Sequence, residues 1–315
     1  MIVLNLRHPR MAAALPKTTT TNSRLIAFTT PKNYAPRISH FIQLKGWRPL
    51  WCPSVIVETT PQTISSIQFY LSKNNPNNHL QNHSNLEEFS GVAFTSRTGI
   101  TAFTEALNSI QTAPLAPDGE TFTVSALGKD SEVLDKSFIE KLCENPGRIE
   151  ILVPPVATPS SLVESLGFGQ GRKLLCPVPL VLGLEEPPVV PNFLSDLAKM
   201  GWKAVRVDGY ETRWAGPTCA EEAVRRTEEE CGLDAIVFTS TAEVEGLLKS
   251  LKELGMNWEI MRLRCPRMLV AAHGPVTASG AERLGVGIDL VSSRFESFDG
   301  VVDALAYRWN SLDCC

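Results

Sequence analysis

The 315 residues contain no run of about 18 uncharged apolar residues, so a membrane-spanning helix is excluded. A basic surplus is missing too. Lysine and arginine number 30 against 34 aspartates and glutamates, a formal charge of −4 that argues against nucleic acid as a partner. The eight cysteines (Cys52, Cys143, Cys176, Cys219, Cys231, Cys265, Cys314 and Cys315) form no CxxC pair and no metal-ligand spacing, and read as reduced thiols. GxSxG, HExxH and GxxxxGK[ST] are absent, and with them the sequence support for a serine-hydrolase elbow, a zinc protease or a P-loop. Gly167-Phe168-Gly169-Gln170-Gly171 imitates a phosphate loop but precedes a strand instead of following one, the wrong order for nucleotide binding.

Acid is missing from the N-terminus: the first acidic residue is Glu58. Before it come Arg7, Arg10, Lys17 and Arg24, four threonines at 18–21, and Ser23. A basic, hydroxylated, acid-free start is expected to be an organelle transit segment over residues 1–23, plastid over mitochondrion on its threonine content. Met11 is an alternative initiator, and a simple tail with a cytoplasmic protein is the other reading. Residues 74–85 are asparagine-rich and read as a loop, which disfavours metal binding by His79 and His83 despite their four-residue spacing.

The remaining chain alternates short apolar runs with helical periodicity, the signature of a parallel α/β sheet. It also repeats itself. Phe94-Thr95-Ser96 opens a helix through Ile100, Phe103 and Leu107, and Phe238-Thr239-Ser240 opens another through Val244, Leu247, Leu248 and Leu251. Each is followed by a strand ending in glycine, Gly128 and Gly274, and each unit is preceded by a helix ending in Gly-Trp, at Gly46-Trp47 and Gly201-Trp202. A repeat this long is a domain duplication, which predicts two similar α/β domains. The charged stretch 221–230 reads as a solvated helix face with internal ion pairs.

A serine or threonine between strand and helix caps that helix, whose free N–H groups and partial positive charge bind carboxylates or phosphates. In parallel sheets such starts lie at the carboxyl ends of the strands, where ligands collect. Two facing domains would offer Thr95, Ser96, Ser131, Thr239, Ser240 and Thr277 to one anion-binding cleft, with Arg97 and Lys129 at helix entrances beside them. Each hydroxyl is also readable as a plain cap, and each cation as solvated surface charge. His273, at a strand end, reads as structural before it reads as a proton donor. Tyr210, one of four tyrosines, sits in an extended segment crossing between the domains. There its phenol would either donate to a leaving hydroxyl or simply pack.

Phe94-Thr95-Ser96-Arg97-Thr98-Gly99, the Val-x-x-Tyr-Glu-Thr run at 207–212, Phe238-Thr239-Ser240, Gly274-Pro275-Val276-Thr277-Ala278 and Arg283-Leu284-Gly285, followed by a final helix at 300–305, together resemble the uroporphyrinogen-III synthase family over residues 24–310. The resemblance implies two α/β domains with a cleft between them, joined by an antiparallel pair of crossover strands. The first domain would hold 24–53 plus 213–315 and the second 60–204, with 54–59 and 205–212 crossing. It implies cyclisation of the linear tetrapyrrole hydroxymethylbilane with inversion of the last ring, no cofactor and no metal. Tyr210 would assist departure of the hydroxyl. Thr95, Ser96, Arg97, Gly128, Lys129, Ser131, Thr239, Ser240, Gly274 and Thr277 would hold substrate carboxylates.

Ser131 stands where the family usually has threonine, His273 where an apolar residue is usual, and the 173–188 region is unusually rich in proline. A diverged paralogue that binds tetrapyrroles or another polyanion without catalysis is the alternative, and a two-domain anion sensor a third reading. No exposed apolar stripe stands out, so a monomer is expected.

Overall fold

The computed structural model describes residues 23–72, 84–229, 232–294 and 297–313. The transit segment expected at 1–23 (apart from Ser23), His79, His83, Cys231, Cys314 and Cys315 lie outside the described residues.

Two sheets organise the chain. The first is entirely parallel: β1 (Leu25–Phe28) and β2 (Arg48–Trp51) from the N-terminal part join three strands from the C-terminal part. The intervening chain builds the second sheet from β3 (Val55–Glu58), β4 (Gly91–Phe94), β5 (Phe122–Ala126), β6 (Ile149–Leu152), β7 (Lys173–Leu182) and β8 (Lys203–Trp214). The late strands of the first sheet are β9 (Ala235–Phe238), β10 (Leu269–Ala272) and β11 (Leu290–Val291), giving the order β11-β10-β9-β1-β2. The second sheet runs β3-β8-β7-β4-β5-β6, parallel except where β3 meets β8.

The central strands β1, β4 and β9 are buried at every position, as continuous apolar runs must be when helices cover both faces of a parallel sheet. In the parallel-sheet lobe, one face packs on the helices Thr241–Glu253 and Trp258–Arg264, and the other on Ala35–Leu44 and Asp299–Asp313. In the mixed-sheet lobe, Phe94, Phe103 and Phe138 form an aromatic core under the helix Arg97–Asn108. Burying each such ring contributes roughly 1.5–3 kcal/mol. Helices Ala35–Leu44 and Val189–Lys199 both stop at a glycine in left-handed backbone, Gly46 at φ 74° and Gly201 at φ 79°, so the repeated Gly-Trp turns are matching helix ends.

The expected crossover pair is present as β3 against β8, with Val57 opposite Thr212. Two elements differ from expectation. The strand expected after the Gly167–Gly171 stretch runs from Lys173 to Leu182, through Pro177 and Pro179, residues that the sequence pattern reads against a strand. β7 pairs with β4 only at Leu174 and Leu175, so beyond them it has β8 alone as neighbour, and prolines without an N–H are tolerated on that free edge. Among the described residues 221–229 of the charged stretch, the helix covers Glu221–Arg226, although the ion pairs form: Arg225 and Arg226 both clasp Glu222 and Glu229. Among the described residues no helix is long and apolar enough to cross a membrane.

The lobes meet at the turn after β7. Glu185 N donates to both carboxylate oxygens of Glu245, at 2.9 and 3.0 Å, Lys249 Nζ donates to Gly183 O at 3.0 Å, and Arg283 lies 3.5 Å from Glu185.

Candidate functional site

The turn after β4 places Ser96 in extended backbone as the cap of the helix Arg97–Asn108, where its Oγ accepts from Gly99 N at 3.1 Å. The same Oγ lies 2.8 Å from the hydroxyl of Tyr210. Tyr210 arrives on β8, opposite Pro179 just past a register shift, and its ring joins the apolar cluster of the mixed-sheet lobe with Ile67, Phe94 and Ile100. It is 6% exposed. Burial pushes its phenol well above the usual range, and the Ser96 hydrogen bond opposes that only in part. The group therefore stays protonated at neutral pH and acts as a hydrogen-bond donor.

Across from this turn stands Tyr34, carried on the loop that follows β1 in the other lobe. Its hydroxyl is 3.2 Å from Thr98 Oγ1 and also faces the Thr98 backbone N–H. Burial raises its pKa as well. Beside both phenols lies Asp130, in the short 3-10 helix Gly128–Val133 after β5. Burial raises the Asp130 carboxyl, against the pull of the Arg97 guanidinium, the Arg97 backbone N–H and Arg37 from the facing lobe. Gly128 has a left-handed φ of 45°, and a Cβ there would meet Ala157 Cβ at 2.9 Å, so glycine is required for this turn to form. Ser131 donates to Gly128 O at 2.7 Å, and Lys129 lies exposed on the same turn.

The turn after β9 is chemically different. Ser240 caps the helix Thr241–Glu253, but Glu243, at its third position, is 1% exposed and folds back over the turn. Its carboxylate accepts from Thr239 N at 2.9 Å, Thr239 Oγ1 at 2.5 Å, Ser240 Oγ at 3.2 Å and Thr29 Oγ1 at 2.7 Å. Burial raises its pKa, and these four donors hold it down only in part. Thr277, 6% exposed in the helix Pro275–Arg283, donates to Thr239 O at 3.1 Å, and Gly274 is the cap residue of that helix. His273 packs its ring 5.0 Å from Phe298.

The structure therefore sorts the eleven sequence-derived candidates into two groups. Ser96, Arg97 and Tyr210 converge, with Thr95, Gly128, Lys129 and Ser131 on the adjoining turns of the same lobe. Thr239, Ser240, Gly274 and Thr277 gather in the other lobe, with the hydroxyls of Thr239 and Ser240 bonded to Glu243. Sequence reasoning passed over Tyr34, Asp130 and Glu243. Glu243 did carry a signal, since Ser240-Thr241-Ala242-Glu243 is a capping-box spacing. Among the described residues no group of three or more histidine, cysteine or acidic side chains is arranged to hold a metal.

Comparison with known proteins gives a consistent result. A family model described as uroporphyrinogen-III synthase HemD matches residues 37–301. Among solved structures, a mutant uroporphyrinogen III synthase from the extremely thermophilic bacterium Thermus thermophilus superposes with a TM-score of 0.54 at 18% identity, covering 92% of this chain and 100% of that one. Uroporphyrinogen-III synthetase from Helicobacter pylori aligns at 12% identity over 92% of this chain and 99% of its own, with a TM-score of 0.44. A search of curated proteins finds no match. At such identity the Thermus likeness establishes the two-domain α/β fold, while the family model spans well over half of the sequence. The chain belongs to the uroporphyrinogen-III synthase family.

Proposed function

We propose that this protein closes hydroxymethylbilane into uroporphyrinogen III, a cyclising lyase reaction in tetrapyrrole synthesis that inverts the last pyrrole ring. The observation that carries the assignment of roles is the buried Tyr210 phenol, 2.8 Å from the Ser96 cap at a helix start. A phenol held protonated donates to the terminal hydroxyl of the bilane as its C–O bond breaks. The proton leaving with water is balanced by the pyrrole N–H proton lost as the azafulvene forms. The azafulvene then attacks the substituted carbon of the last ring, and the spiro intermediate fragments and recloses with that ring inverted. One water is lost and no electrons are exchanged, so the chemistry calls for no cofactor. The protein's task is orientation: folding the chain so that the spiro path outruns direct closure.

The substrate's eight carboxylates suit the partial positive charge of helix starts and the hydroxyls around them. We assign carboxylate binding chiefly to Thr95, Ser96, Arg97, Gly128, Lys129 and Ser131. Thr239, Ser240, Gly274 and Thr277 contribute shape from the facing lobe. The domain limits are those read from the sequence, the active unit is a monomer, and the N-terminal segment directs the protein to plastids.

The test is purified protein supplied with hydroxymethylbilane by the preceding synthase, with the product isomers separated. Predominantly inverted product is expected. Only the uninverted isomer, in the proportion seen without protein, would refute the proposal.

A further inference from the structure

Tyr210 is nearly sealed, so a substrate that touches its hydroxyl has to displace what lies over it. The neighbouring group from the facing lobe is Tyr34. Its ring is fixed by its own lobe: Phe298 meets it edge-on at 6.0 Å and 84°, and Arg37 lies 5.9 Å from the Phe298 ring while donating to Ser297. Its hydroxyl is bonded to Thr98 of the other lobe. Parting the lobes at this point therefore leaves the ring in place and frees one phenolic O–H that faces the gap, opposite Tyr210.

We infer that Tyr34 is a specificity-determining residue that exchanges its Thr98 contact for a substrate carboxylate, holding the last ring, the one that is inverted, from the lobe opposite Tyr210. This inference rests on the synthase reading above. Two phenols on different lobes then hold the two ends of the bilane, the leaving hydroxyl of the first ring by Tyr210 and a carboxylate side chain of the last ring by Tyr34. With the last ring held in this way its substituted carbon faces the azafulvene of the first ring, whereas a last ring left unheld is free to close directly. A polycarboxylate ligand suits Tyr34 because Arg37 and Arg97 border the same gap, while Asp130 beside them supplies a carboxylate that an incoming one replaces.

The experiment compares wild type, Tyr34→Phe and Thr98→Val with hydroxymethylbilane, recording KM, kcat and the ratio of inverted to uninverted product, with urea midpoints to verify folding. Tyr34→Phe keeps the ring packing and removes only the hydroxyl. It should raise KM about tenfold and increase the uninverted share. Thr98→Val removes the side-chain partner of the Tyr34 hydroxyl but leaves that hydroxyl available to substrate, and should keep the wild-type isomer ratio. If Tyr34→Phe leaves KM and isomer ratio unchanged, or if Thr98→Val reproduces its effects, Tyr34 is only a contact between lobes and the inference is overturned. A wild-type protein that forms no inverted product would instead bring down the synthase reading on which it rests.

Discussion

The two Phe-Thr-Ser turns share one local design, and they have become different objects. Each ends a fully buried parallel strand and opens a helix with a serine cap. Three residues beyond the cap, the first turn has Gly99 and the second has Glu243. With no side chain at Gly99, the cap of the first turn meets Tyr210, and Thr98 beside it meets Tyr34 from across the gap. With glutamate at the equivalent place, the second turn supplies its own carboxylate and directs both hydroxyls to it. A helix start holds roughly one anion's worth of hydrogen-bond donors. In the second turn that anion is built into the chain and buried. In the first turn the oxygens beside the site, those of Asp130 and Tyr34, come from other elements and not from the helix itself. One copy therefore serves the fold and the other is left to serve a ligand.

The strongest way to break this contrast is at the first turn. Tyr210→Phe should lower turnover about a hundredfold or more while leaving the protein folded, because the ring keeps its apolar contacts and only the donor is lost. Near-normal turnover would show that the phenol serves packing alone. The second turn should respond in stability instead. Glu243→Ala strands the donors of Thr29, Thr239 and Ser240 in a buried site and should cost about 3 kcal/mol, read as a shift of the urea midpoint. A midpoint within error of wild type would mean that the carboxylate is dispensable there.

The smallest effect is one of pH. Glu243 has its pKa raised in the fold by burial, so the native state holds its proton more tightly than the unfolded chain does. Its contribution is fully present below the unfolded value of about 4.3 and is lost as pH rises through the folded value. The stability of wild type relative to Glu243→Gln should therefore be greatest in acid and shrink towards neutrality, as followed by urea unfolding from about pH 4 to about pH 7. A gap that widens with rising pH would reverse the assigned sign.

How much of this was legible in the sequence follows from the range of each interaction. The parallel sheets could be read because their central strands are continuous apolar runs, and the duplication because Phe-Thr-Ser and Gly-Trp recur in one order. Tyr210 was visible through its place on a crossing segment. The length of β7 was hidden, since Pro177 and Pro179 argue against a strand until its loss of the β4 neighbour is known. Tyr34 and Asp130 were hidden for another reason. Their partners lie across the gap between lobes or on another turn, and nothing in the local sequence of 31–37 or 128–133 marks the contact. Glu243 was readable as a capping-box member, but that its carboxylate would consume the hydroxyls of both Thr239 and Ser240 depends on its full burial, which spacing does not give.

The claim that one turn works on substrate while its copy works on the fold is tested most directly by paired cap removal. Ser96→Ala and Ser240→Ala each delete one cap, worth about 1 kcal/mol, and turnover of hydroxymethylbilane is compared where both variants are folded. Ser96→Ala should lose about tenfold or more in turnover, because Tyr210 loses its partner, while Ser240→Ala stays near wild type. Equal losses in the two variants, or a greater loss in Ser240→Ala, would contradict the division of labour.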